Sequence, residues 1–225
     1  MSRFPDLSAD LHFRAARDGD SSLVLDVGCG DGANAFRHLN PRSVVGIDGY
    51  GLACRMARDA GMAIVRAELE RPWPIGDESA DVVSANQVIE HLIDTDQFAE
   101  ECYRVLRPGG TAVISTENLA AWPNIAVLLL GQEPFSTSYS KRLWAVGNHF
   151  ARRSGRQAEE EVTPYPHCSV GSYQAVADLF TYYGFQHIRS LGVHTLPLPI
   201  PIIRWLRRID VRHAMYITLI FRKPS

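Results

Sequence analysis

The residues best suited to chemistry stand in one short run, Asp26-Val27-Gly28-Cys29-Gly30-Asp31-Gly32. Three glycines at alternate positions let a backbone come close to a ligand, because no Cβ stands in the way. Asp26 ends the aliphatic run that begins at Leu23, and a carboxylate there can receive a cationic group. Asp48 lies about twenty positions further on, at the end of a second apolar run, where an acid can accept both hydroxyls of a ribose. Asp48 can equally cap the helix that follows it, and the two roles are compatible. Three histidines, His91, His149 and His167, are residues of a type that can take a proton from a hydroxyl.

The elements that must hold these groups follow from the pattern around them. Leu23 to Val27 predicts a buried strand, and Asn34 to Leu39 a helix stopped by Asn40-Pro41. That helix would point its first N–H groups at whatever the loop holds. Ser43 to Ile47 and Met62 to Ala67 predict two more strands, with a helix from Leu52 to Ala60 between them. A turn at Gly76 to Ser79 leads to a fourth strand, Ala80 to Ala85. The helix from Asp94 to Leu106 must stop at Arg107-Pro108-Gly109-Gly110, whose glycines turn the chain into a fifth strand, Thr111 to Ser115. Tyr173 to Tyr183 puts Val176, Leu179, Phe180 and Tyr183 on one helical face; strands follow at Gln186 to Val193 and Ala214 to Phe221. Leu7, Leu11 and Phe13 predict one short helix leaning on the domain edge, too brief a lead-in to build a lid.

With 225 residues, 46% of them hydrophobic, the chain suits a single domain spanning 1–225 with a sizeable core. A net charge of -2 gives no electrostatic case for nucleic acid. Cys29, Cys54, Cys102 and Cys168 are scattered, which fits reduced thiols in a cytoplasmic protein. The N-terminal stretch carries Asp6 and Asp10 and does not read as a signal peptide. The apolar run from Ile125 to Leu130 is too short to span a bilayer.

The glycine loop resembles the first motif of class I S-adenosylmethionine (SAM) methyltransferases. A dinucleotide fingerprint is its rival, since Ala33 stands where the third glycine of G-x-G-x-x-G would be, and a tight turn without a ligand is the plain alternative. Two further stretches narrow the choice. Asn86-Gln87-Val88-Ile89-Glu90-His91-Leu92 and Tyr103-Arg104-Val105-Leu106-Arg107-Pro108-Gly109-Gly110 resemble the small-molecule methyltransferase group that includes ubiquinone-type O-methyltransferases. The resemblance covers Leu23 to Ser115. It implies a Rossmann-like doubly wound sheet of seven strands, the seventh antiparallel beside the sixth, with a helical insert after strand five. It implies a cofactor set of Asp26, Gly28, Cys29, Gly30, Asp31, Asp48, Gly49, Glu68, Leu69, Asn86 and Gln87, with SAM bound and S-adenosylhomocysteine released. Within that set Glu68 would approach the adenine amino group, where Asp is usual, and Leu69 would pack on the ring.

Methyl transfer is an in-line displacement, so such an enzyme mainly positions its acceptor, and a hydroxyl acceptor also needs a base. His91, His149 and His167 are the candidates, while Glu90-His91 can also be a structural pair at a helix start. Glu90, His91 and His167 resemble three metal ligands of the small-RNA 2′-O-methyltransferases. Gln87 stands where the fourth would be, so the expectation is no metal. The expected acceptor is a small molecule (a sugar, lipid-linked intermediate or natural product) methylated on oxygen. A metal-assisted RNA 2′-O-methyltransferase, a non-catalytic SAM-binding partner subunit and a NAD dehydrogenase are the other readings. Residues 117–171, with Trp144, His149 and Phe150 in a basic, aromatic stretch and a solvated acidic patch at Glu159 to Glu161, are expected to cover the substrate pocket. Their alternative is a peripheral or dimer-forming insert, and the chain is expected to be a monomer or homodimer. Residues 196–212, apolar and then rich in arginine, are a candidate peripheral membrane contact, or else a subunit contact or pocket rim.

Overall fold

Runs of valine, isoleucine and leucine, buried on both faces, build the centre of the sheet. The computed structural model describes residues 3–16, 23–39, 43–140, 145–153, 166–196 and 200–225. Its strands are β1 (Val24–Val27), β2 (Val44–Asp48), β3 (Ala63–Arg66), β4 (Ala80–Asn86), β5 (Leu106–Glu117), β6 (Gln186–Val193) and β7 (Tyr216–Arg222). They form one seven-stranded sheet in the order β3-β2-β1-β4-β5-β7-β6. The first five neighbours pair in parallel, and β7 runs antiparallel between β5 and β6. The expected Rossmann-like α/β sheet with an antiparallel seventh strand is what the chain forms.

The helices are α1 (Arg3–Ala16), α2 (Ala33–His38), α3 (Gly51–Asp59), α4 (Thr95–Val105), α5 (Trp122–Leu129), α6 (His149–Arg153), α7 (Tyr173–Tyr182) and α8 (Ile200–Ile209). One sheet face is covered by Phe98 and Cys102 of α4 with Val176 and Phe180 of α7, packed on Val83, Ile114, Leu219 and Phe221. The other is covered by Phe13, Ala35 and Ala57 from α1, α2 and α3, packed on Val24, Val44, Val82 and Val113. The chain leaves β1 toward β2 and β3 on one side, then returns to β4 on the other. Open α/β sheets hold ligands in the crevice outside the carboxyl ends of the strands where the order reverses, which here are the ends of β1 and β4.

Two expectations need correction. The N-terminal helix is not an edge feature: α1 is 14 residues long and packs against β4, β5, β6 and β7. Its buried face is Ser8, His12 and Ala15 beside Ala9, Phe13 and Ala16, not the Leu7–Leu11 row. Small side chains at helical spacing let the helix sit close to the strands, a signal weaker than leucine periodicity. Second, β5 begins at Leu106, so Pro108-Gly109-Gly110 lies inside an extended segment instead of forming a separate turn. Gly109 N–H donates to the Lys223 carbonyl (3.0 Å) and Lys223 N–H to the Gly110 carbonyl (2.9 Å), which carries the β7 pairing through the glycines. The register shift between Ala80 and Val82 absorbs the extra residues. The expected helical insert after strand five is present: its described residues contain two short helices, α5 and α6, joined by loops. Trp144 and Glu159 to Glu161 lie outside the described residues.

Candidate active site

The loop after β1 is held left-handed at Gly28 (φ +67°), Gly30 (φ +57°) and Gly32 (φ +80°). Gly28 is a packing glycine: a Cβ there would stand 2.5 Å from Val88 Cγ2. Gly30 is different, because nothing lies within 4 Å of the place its Cβ would take. The loop therefore offers bare backbone to open space at the crevice. Gly30 N–H donates to Asp48 Oδ2 (2.9 Å) and Tyr50 N–H to Asp48 Oδ1 (2.7 Å), which fixes that carboxylate at the end of β2. Each oxygen keeps a second lone pair for a ribose hydroxyl. Tyr50, not Asp48, occupies the cap position of α3.

Around this pair the rest of the expected set is spread along the strand ends. Gly49 follows Asp48, and its missing Cβ would touch the Ala67 carbonyl at 3.4 Å. Cys29 Sγ fills the space over Gly46, and burial, with Asp26 and Asp48 beside it, holds the thiol protonated. Asp31 Oδ1 accepts from Ala33 N–H (3.0 Å), a turn-forming bond at an exposed position. Glu68 is exposed and pairs with Arg71 (2.8 Å), while Leu69 packs partly buried on the core. Asn86 Oδ1 accepts from Ser115 Oγ–H (2.7 Å) at the end of β4. Asp26 is buried and accepts from Ser84 Oγ–H (3.0 Å). Burial pushes its carboxyl up to about 7; the Ser84 bond pulls it back, and Asp48 adds to the rise.

A second group of side chains gathers beyond β4 and β5. Glu90 sits in a 3-10 turn, Ile89–His91, and is 1% exposed. Its carbonyl accepts from Cys168 N–H (2.7 Å) and Ser169 N–H (3.0 Å), which ties the 166–169 segment to the end of β4. This brings His167 beside His91, with ring centroids 4.8 Å apart and edge to face. His167 Nδ1 faces the Ser136 carbonyl (2.7 Å) and His91 Nδ1 faces the Pro166 carbonyl (3.4 Å). A carbonyl only accepts, so each Nδ1 carries the hydrogen and each Nε2 is the basic nitrogen. Glu117, at the end of β5, stands 3.8 Å from His167 Nδ1. Glu117 completes a cluster that residue type alone did not assign, though its place directly after a strand was a usable signal. His149 is elsewhere: it is exposed at the start of α6, in a cleft of about 380 Å³ with Leu130, Gln132 and Phe150.

The ligand atoms of Glu90, His91 and His167 lie within 4.8 Å of one another, a spacing that invites a metal ion. The donor chemistry fits one poorly. Glu90 Oε2 accepts from Thr116 Oγ1–H (2.9 Å). In the amide orientation that satisfies its neighbours, Gln87 donates to Glu90 Oε1 (3.2 Å) and accepts from Thr116 N–H (3.1 Å). Both oxygens of Glu90 are thus engaged by the chain's own donors, and burial, with nearby Glu117 adding to it, raises its carboxyl to about 8. Gln87 serves inside this ring as a hydrogen-bonding amide.

Residues 25–114 match the family model described as a methyltransferase domain. Over this stretch the chain is similar to methyltransferase domains. The chain is similar to a probable S-adenosylmethionine-dependent methyltransferase of Mycolicibacterium smegmatis, with 42% identity over 117 residues, 48% of this chain and 40% of that protein. It is similar to a ubiquinone biosynthesis O-methyltransferase of Chelativorans sp., with 34% identity over 112 residues, 47% of this chain and 44% of the other. The match thus takes in less than half the length of these curated relatives. In fold it is similar to a SAM-dependent methyltransferase of Thermotoga maritima, a possible histamine N-methyltransferase (TM-score 0.65, 16% identity, 98% of this chain and 90% of that one). The family's cofactor is SAM, and the residues present fit such a ligand: open space over Gly30, a carboxylate fixed at Asp48 and a buried carboxyl at Asp26.

Proposed function

We propose that this chain methylates a hydroxyl of a small-molecule acceptor, with the His91–His167 pair taking the acceptor's proton. The pairing of these two rings at the carboxyl ends of β4 and β5 carries the reading. Bound SAM supplies an electrophilic methyl whose bond to sulfur breaks, with its electron pair, as the bond to the acceptor oxygen forms. The chain's own residues do the rest. Asp48 and the Gly30 backbone fix the nucleoside end, and Asp26 takes the ammonium. The basic Nε2 of His91 or His167 receives the hydroxyl proton, and the carbonyls of Pro166 and Ser136 hold each ring in the tautomer that can do so. The ubiquinone-type relatives support oxygen as the acceptor atom.

Transfer of labelled methyl to a panel of phenols, sugars and lipid-linked alcohols tests this. His91→Ala and His167→Ala are expected to lower kcat by about 10²-fold or more on the true acceptor, with cofactor affinity within about twofold of wild type. Unchanged kcat in both variants removes the pair from catalysis.

The acceptor class is read from α8. Ile202, Trp205 and Ile209 are exposed at helical spacing beside exposed Arg208, and the helix carries further arginines at 204 and 207 with no acid. An amphipathic basic face of this kind suits an anionic lipid surface, and with it a lipid-linked acceptor. Among the described residues no helix is long and apolar enough to cross a membrane. The four cysteines are free, which supports a reducing compartment, the cytoplasm.

A further inference from the structure

Among the buried polar groups that the mechanism above does not use is an imidazole beside the crevice strands. His12 of α1 is fully buried against the sheet, and its Nε2 lies 2.9 Å from Ser84 Oγ. Ser84 is the register partner of Asp26 on the neighbouring strand, so the two side chains share a face, and its hydroxyl lies 3.0 Å from Asp26 Oδ1. Imidazole, hydroxyl and carboxyl thus form one chain from the N-terminal helix to the crevice.

We propose that His12 and Ser84 are positioning residues for the cofactor's ammonium group, passing a directed series of hydrogen bonds to Asp26 that keeps it a carboxylate. The inference rests on the cofactor reading above. Its direction follows from proton counting. Ser84 has one hydrogen to give. In one arrangement His12 Nε2–H donates to Ser84, Ser84 donates to an ionised Asp26, and Nδ1 keeps a lone pair. In the other, a protonated Asp26 donates to Ser84, Ser84 donates to Nε2, and the imidazole hydrogen sits on Nδ1. Nδ1 is buried and has no hydrogen-bond partner among the described residues. A buried N–H without an acceptor is the costlier orphan, so the first arrangement wins, and a hydroxyl hydrogen aimed at Oδ1 favours the ionised carboxyl over the neutral one. An imidazolium does not enter, because burial lowers the His12 pKa to about 3. The titratable groups facing Asp26 from the other elements are Cys29 in the loop and Asp48 on β2, and Asp48 resists its ionisation. The chain through Ser84 is the contact that opposes Asp48 and burial.

The test is calorimetric titration from roughly pH 6 to 8 with two ligands: S-adenosylhomocysteine, and 5′-methylthioadenosine, which keeps the nucleoside and thioether but lacks the ammonium. In wild type, S-adenosylhomocysteine affinity should rise through the Asp26 titration while 5′-methylthioadenosine affinity stays level. In Ser84→Ala and His12→Phe the midpoint should move up by about one unit and S-adenosylhomocysteine should bind about three- to tenfold more weakly at pH 7, with 5′-methylthioadenosine unchanged. His12→Gln, whose amide can donate from the place of Nε2, should return the wild-type midpoint. If His12→Phe does not fold, Ser84→Ala alone decides. An unmoved midpoint in Ser84→Ala, or equal weakening of both ligands, overturns the inference and leaves the cofactor reading standing. Failure of both ligands to bind wild type overturns the cofactor reading, and the inference with it.

Discussion

Asp26 is asked to be two things at once. In the proposed role it must be charged to hold an ammonium group, yet it sits where burial drives its carboxyl up to about 7 from an ordinary 3.8. Between those values the folded chain binds more protons than the unfolded one, so this residue makes stability fall as pH rises through that window. Glu90, pushed from 4.5 up to about 8, acts in the same direction. Asp26→Asn is therefore expected to be more stable than wild type at about pH 8, by roughly 1–3 kcal/mol, and no more stable near about pH 3. It should also bind S-adenosylhomocysteine at least about tenfold more weakly. Urea denaturation at the two pH values checks the first part; a variant less stable than wild type at pH 8 would show that the carboxylate is comfortable where it lies. The residue types were readable from the sequence: Asp26, Asp48, Glu90 and His91 stand in motifs whose spacing names them. Ser84 and His12 were not, because nothing in their own neighbourhood shows that α1 crosses the sheet face and buries an imidazole beside β4.

At the scale of elements, the three loop glycines separate into different tasks. A Cβ at Gly28 collides with Val88, and the positive φ adds strain, so Gly28→Ala should cost roughly 1–3 kcal/mol of stability. Gly30 has the same kind of backbone but open space above it, so Gly30→Ala should cost about 1 kcal/mol while obstructing the crevice. Thermal melts beside S-adenosylhomocysteine titrations read both. Equal destabilisation with cofactor binding retained in Gly30→Ala would mean that the open space is not where the ligand lies. The α8 face makes a separate prediction. Co-sedimentation with phosphatidylglycerol vesicles should exceed that with phosphatidylcholine, and Trp205→Ala with Arg208→Glu should lower it by about tenfold. Equal binding to both vesicle types would leave α8 without a lipid role. Strands were legible here because buried β-branched runs declare themselves. The start of β5 was not, since Pro108-Gly109-Gly110 reads as a turn until β7 is seen pairing through Gly110.

For the whole molecule, strand order does what no single motif can. The reversal between β1 and β4 puts Asp26, Gly30 and Asp48 on one crevice, and the β4 and β5 ends put Glu90, His91 and Glu117 beside it. That the chain alternates strands and helices gave the fold, and the loop motif gave the ligand edge. The meeting of His91 with His167, 76 positions apart in sequence, depends on the Glu90 carbonyl holding Cys168 and Ser169, a tertiary contact with no local signature. The 117–171 segment, proposed to choose the acceptor, has a sequence with little periodicity to read.

The central claim is that the crevice is built for SAM and not for a dinucleotide. Calorimetric titration of wild type and Asp48→Ala with S-adenosylhomocysteine and with NADH tests it most directly. The expected result is saturable binding of S-adenosylhomocysteine alone, weakened about tenfold or more when the Asp48 carboxylate is removed. Binding of NADH in its place, or S-adenosylhomocysteine affinity indifferent to Asp48, would contradict the account.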